Sequence, residues 1–153
     1  MGQGTGQGAG EGAGEGVRHP RLSAPVRGPA DVVRFVRAAL GPWYGSRAAV
    51  VVIGLDAASR VTGLAENRQR WTPRSLKASE MVLLSDELGA RVLVLAQLVP
   101  AIHRPPSGAE GHAFRALAVR CAAEGVLLLD CVVVSGESWW SLGRIMSEHA
   151  TSN

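Results

Sequence analysis

Residues 91–110 read RVLVLAQLVPAIHRPPSGAE. The Val and Leu run at its start is continuous, the pattern of a strand covered on both faces. It breaks at Gln97-Leu98-Val99-Pro100, and a loop holding His103, Pro105, Pro106 and Ser107-Gly108 follows. Ser107 then offers a hydroxyl just before a helical stretch, and Glu110 stands at the third position, the spacing of a capping box. A buried strand, a proline-fixed loop and a capped helix make an α/β unit that presents its loop for a purpose.

Outward from this unit the chain alternates in the same way. PADVVRFVRAALGPWYG, from Pro29, places Val32, Val33, Phe35, Val36, Ala39 and Leu40 on one helical stripe, with Asp31 in the first turn and Gly41-Pro42 as a stop. AAVVVIGLD (48–56) is an apolar strand closed by a turn at Asp56, and RVTGLAE (60–66) is its hairpin partner. SLKASEMVLLSDELG has helical spacing and ends at Gly89, GHAFRALAVRCAAEG is a helix ending at Gly125, and VLLLDCVVVSG is a third apolar strand. ESWWSLGRI (137–145) closes the order as a hairpin strand in which the adjacent Trp139 and Trp140 point to opposite faces. The sum is an α/β sandwich, a mixed central sheet flanked by about three helices.

The bulk numbers agree with one such domain. The chain has 153 residues, 46% hydrophobic, and a formal charge of +3. Residues 1–28 are expected to be a Gly-rich tail and linker, 29–146 the folded domain, and 147–153 a short tail. The leader MGQGTGQGAGEGAGEG can bury nothing to offset its chain entropy, and with neither a preceding strand nor a Gly-Lys-Ser/Thr it makes no phosphate loop. No apolar run reaches the roughly 18 residues of a membrane helix, and no secretory signal is visible, so the expectation is a cytoplasmic protein. Cys121 and Cys131 lie in apolar settings without metal or redox spacing, as buried reduced thiols do.

The order of elements and the loop together resemble the RadC-like branch of the JAB/MPN metallopeptidase superfamily. There a strand ends in Leu-Ala-His-x-His-Pro-Ser-Gly, and Ser-x-x-Asp enters the following helix. Here the matching text is VLVLAQLVPAIHRPPSGAE, then GVLLLDCVVVSGESWWSL; upstream, GLDAASRVTGLAE and SLKASEMVLL match the family's strand-turn-strand and next helix. The resemblance runs from about Pro29 to Leu142 and implies the JAB/MPN, cytidine deaminase-like fold.

It also implies a chemistry that this sequence departs from. In the family two histidines and an aspartate hold zinc, whose open position lowers the pKa of a bound water toward about 7. A Glu acts as general base and the loop Ser stabilises the oxyanion. Carried over, the histidine positions fall on Gln97 and Val99, the aspartate on Glu110, the serine on Ser107 and the base on Glu66, with one residue of slack at the last. Valine has no lone pair, and an amide is a weak zinc ligand beside imidazole. His103 and His112 have ligand chemistry for a displaced metal site, but Glu110 and His112 lie about 200° apart on a helix. The plainer reading is a solvated loop histidine and a histidine on the first helical turn.

The resulting expectation is a metal-free pseudoenzyme without a cofactor, acting by protein binding or assembly, with an unknown partner or a second copy. Its rival is a zinc-dependent peptidase or isopeptidase-type hydrolase with reassigned ligands. A third reading takes Arg68, Arg70, Arg74 and Lys77, interleaved with Trp71, as a nucleic-acid surface. A solvated Arg-rich loop explains that cluster as well.

Overall fold

The computed structural model describes residues 16–18, 25–41, 48–67, 75–100 and 105–143. Among them run β1 (Gly16–Arg18), α1 (Pro29–Leu40), β2 (Ala49–Leu55), β3 (Val61–Asn67), α2 (Ala78–Leu88), β4 (Val92–Leu98), α3 (Gly108–Ala123), β5 (Leu127–Ser135) and β6 (Ser138–Ser141). The strands form one mixed sheet in the order β1-β3-β2-β4-β5-β6. Only β4 and β5 pair in parallel; every other neighbouring pair is antiparallel. The parallel pair needs a crossover, and α3 supplies it.

Helices cover both faces, which is why β2, β4 and β5 read as unbroken apolar runs. On one face α2 and α3 bring Met81, Leu88, Phe114 and Leu117 down onto Val52 and Leu95. On the other, α1 packs Val33, Phe35 and Val36 against Val51, Ile53 and Val132. Each large aliphatic side chain fully buried in this way contributes about 1.5–3 kcal/mol.

Local chemistry fixes the element ends. Asp56 Oδ1 accepts from the amides of Ala58 (2.8 Å) and Arg60 (2.9 Å), closing the β2–β3 turn. Gly89 ends α2 in the left-handed region (φ 64), and its amide reaches back to Asp86 and Ser85. At the start of α2 the Lys77 amide donates to Glu80 Oε1 at 2.9 Å. Asp130 ties the far edge: its carboxylate accepts from the Cys131 amide (2.7 Å), Ser141 Oγ (2.6 Å) and the Gly143 amide (3.0 Å).

Two expectations need correction. The segment expected to be a free tail and linker contributes structure: Gly16–Arg18 pairs antiparallel with β3, and Val26 is buried with its amide on the Ser59 carbonyl at 2.8 Å. Ladder pairing at a sheet edge uses backbone alone, so glycine-rich composition does not forbid it. The closing strand is also shorter than 137–145. It spans Ser138–Ser141, and Leu142 and Gly143 turn helical. Residues 144 and 145 lie outside the described residues. Trp139 and Trp140 do take opposite faces, packing against the α1-side and α2/α3-side clusters respectively.

Candidate functional site

The parallel strands β4 and β5 end side by side, and α3 begins directly beyond β4. In α/β sheets this junction, outside the carboxyl ends of parallel strands, is where clefts form. Here it holds a cleft of about 460 Å³ lined by Gln97, Val99, Pro105, Pro106, Ser107, Glu110 and Val133. Gln97 stands between Val50 on β2 and Val133 on β5. Val99, one residue past the strand, still holds the Val134 carbonyl through its amide at 2.9 Å. Residues 97 and 99 therefore share the face that α2 and α3 cover, by the period of two.

Ser107 is the N-cap of α3, in extended conformation (φ −78, ψ 165), and its hydroxyl accepts from the Glu110 amide at 3.4 Å. The cap is long, and of the expected capping box only this half is formed. Glu110 is exposed at the cleft mouth. Its charge is felt in the protein interior: burial pushes the Cys131 thiol far up from its ordinary range, and the Asp130 and Glu110 carboxylates push it further. Burial likewise raises the Cys121 thiol, against a lowering by Arg120. Both cysteines are free and buried, held as neutral thiols.

The end of β4, the loop after it and the start of α3 thus set Gln97, Val99, Ser107 and Glu110 around one cleft, all four within the stretch 97–110. The fold does not bring Glu66 to them. Glu66 is directly opposite Val51, whose side chain belongs to the α1-side cluster, so Glu66 lies on the other face and is buried (3% exposed). His112 is exposed on α3, and Lys77 is exposed at the start of α2. His103, Arg68, Arg70, Trp71 and Arg74 lie outside the described residues. Among the described residues no group of three or more His, Cys, Asp or Glu side chains gathers as a metal site would require. No described helix is long and apolar enough to cross a membrane.

Sequence reasoning missed Asp130, which organises the β5–β6 edge. Its signal was a single carboxylate inside the apolar run LLLDCVVV, a position that demands partners. Comparison with protein-family models and with curated proteins finds no match to the chain.

Proposed function

We propose that the chain is a catalytically inactive RadC-like domain of JAB/MPN type, with the cytidine deaminase-like sandwich, and that it works by binding a protein partner at the cleft. One observation carries the reading. The positions that resemble the family's two histidines, serine and acidic ligand, namely 97, 99, 107 and 110, line a single cleft. The strand, loop and helix that carry them keep the order and spacing of the family's motif, and that unit forms the wall of the cleft.

The donor set in that cleft does not fit zinc. It offers one amide oxygen, one hydroxyl and one carboxylate, with a valine where an imidazole would be needed, and zinc favours imidazole and thiolate over such oxygens. A buried general base is not at hand either, since Glu66 faces the opposite layer. No hydrolytic step is therefore derived from these residues, and the reading is one of recognition.

The test grafts the missing ligands. Gln97→His with Val99→His should create a site that takes up zinc with Glu110, measured by elemental analysis after purification without chelators. The unaltered chain should carry none at this position. About one zinc per unaltered chain, lost in Glu110→Ala, would overturn the inactive reading, because a one-ligand loss abolishing a full site means the site is in use. Failure of the double variant to gain metal would argue against the resemblance itself.

A further inference from the structure

We propose that the cleft receives an arginine side chain of the partner, with the stem along the indole of Trp140 and the guanidinium at Gln97 and Glu110; this rests on reading the cleft as a protein-binding site. Val50, Gln97, Val133 and Trp140 are successive direct partners across β2, β4, β5 and β6. Directly paired residues share a face of the sheet. Trp140 therefore stands on the cleft's face, beside the cleft-lining Val133, and packs partly buried against the cluster beneath α2 and α3. Strands lie about 4.8 Å apart, so the indole is two strand steps, about 10 Å, from the Gln97 strand.

Each feature along that line favours the same ligand. Glu110 is the charged side chain among the described residues that line the cleft, and a carboxylate selects a cation. The Gln97 carboxamide adds an acceptor oxygen. Val99, Val133, Pro105 and Pro106 form apolar walls suited to the methylene stem of a long basic side chain. The indole gives the methylene stem a flat apolar surface to lie along. Arginine fits better than lysine, because its fork can donate to the carboxylate and the amide at once. The start of α3 would by itself favour an anion. Ser107 already serves one of its amides, and Glu110 in its first turn repels a negative ligand.

Titration of the full chain with N-acetyl-arginine N-methylamide, followed in amide correlation spectra, tests the proposal. The Gln97 side-chain amide, the Glu110 backbone amide and the Trp140 indole N–H should shift together, with the lysine analogue weaker and the glutamate analogue silent. Glu110→Gln keeps the exposed position and the helix, and should weaken arginine binding roughly tenfold through loss of the charge-assisted pair. Trp140→Phe keeps an aromatic in the packing and should weaken it about two- to fivefold, through the smaller surface left for the stem. Preference for the glutamate analogue, arginine shifts unchanged by Glu110→Gln, shifts confined elsewhere, or no shifts at all would each overturn it. Zinc uptake by the double-histidine variant does not involve arginine. A grafted site that takes zinc while the unaltered chain ignores arginine removes this inference alone.

Discussion

Ser107 stands where a capping oxygen and an oxyanion donor would both be found, and its surroundings separate the two roles. Its hydroxyl already accepts from the Glu110 amide, at a length near the limit for such a bond, and the Glu110 carboxylate does not return the contact. Ser107→Ala should therefore cost about 0.5–1 kcal/mol, the lower half of the usual range for a lost cap. Ser107→Asp should be nearly neutral, since aspartate caps as well and suits the helix dipole. Thermal unfolding midpoints of the two variants decide this, and an unchanged midpoint for Ser107→Ala would remove the cap. The role was legible in the sequence because a cap is local, with donor and acceptor three residues apart. Asp130 was not, because its Ser141 and Gly143 partners lie 11 and 13 residues on, across a hairpin that periodicity does not register. Glu66 was misleading for a related reason. One residue of slack in a strand exchanges the two faces of the sheet, so a position placed to within one residue is not placed at all with respect to the cleft.

At the scale of elements, α2 meets the sheet at Gly54, and nothing larger would pass. A Cβ built there would come within 2.7 Å of Thr62 Oγ1, 3.0 Å of Ala90 Cβ and 3.1 Å of Leu88 Cβ. Thr62 is held in place by donating to the Leu88 carbonyl at 2.7 Å, so the end of α2 is fastened to β3 at this point. Gly54→Ala should destabilise by about 1–3 kcal/mol, as overpacking does. Adding Thr62→Ala removes the closest of the three contacts, and the double variant should lose less than the sum of the singles. Denaturant unfolding of the three proteins reads the coupling; additive losses would mean that the clash lies elsewhere. The helices and central strands themselves were legible: α1 starts at Pro29 and stops before Gly41 as its stripe and Gly-Pro stop predict. The irregularities were not. The register shifts after Gly54 and after Leu93 come from tertiary fit, and the latter leaves Leu129 as an extra residue, half exposed within an apolar run.

For the whole molecule the question is where the folded unit begins. Composition puts the boundary at Pro29, whereas contacts put it at about residue 25. Val26 is buried, and its amide reaches Ser59 at the β2–β3 turn. The Arg27 amide donates to Asp31 Oδ2 at 2.8 Å, and the Gly28 carbonyl accepts from the Asp31 and Val32 amides. The segment thus fixes the start of α1 and joins it to the β2–β3 turn. By contrast, β1 holds β3 through three residues. Its few ladder bonds contribute about 0.5–1.5 kcal/mol each, against about 1–2 kcal/mol per residue to order the backbone, so its net contribution is near zero. A chain beginning at Pro25 should therefore unfold at almost the temperature of the full protein. One beginning at Pro29 should lose about 1.5–3 kcal/mol, the contribution of a buried valine, because the segment's two or three hydrogen bonds are largely offset by the ordering of its four residues. Scanning calorimetry of the two truncations makes the comparison. If both match the full chain, the residues from 25 to 28 are linker after all; if both fall together, β1 anchors the sheet edge more firmly than three backbone pairs can explain.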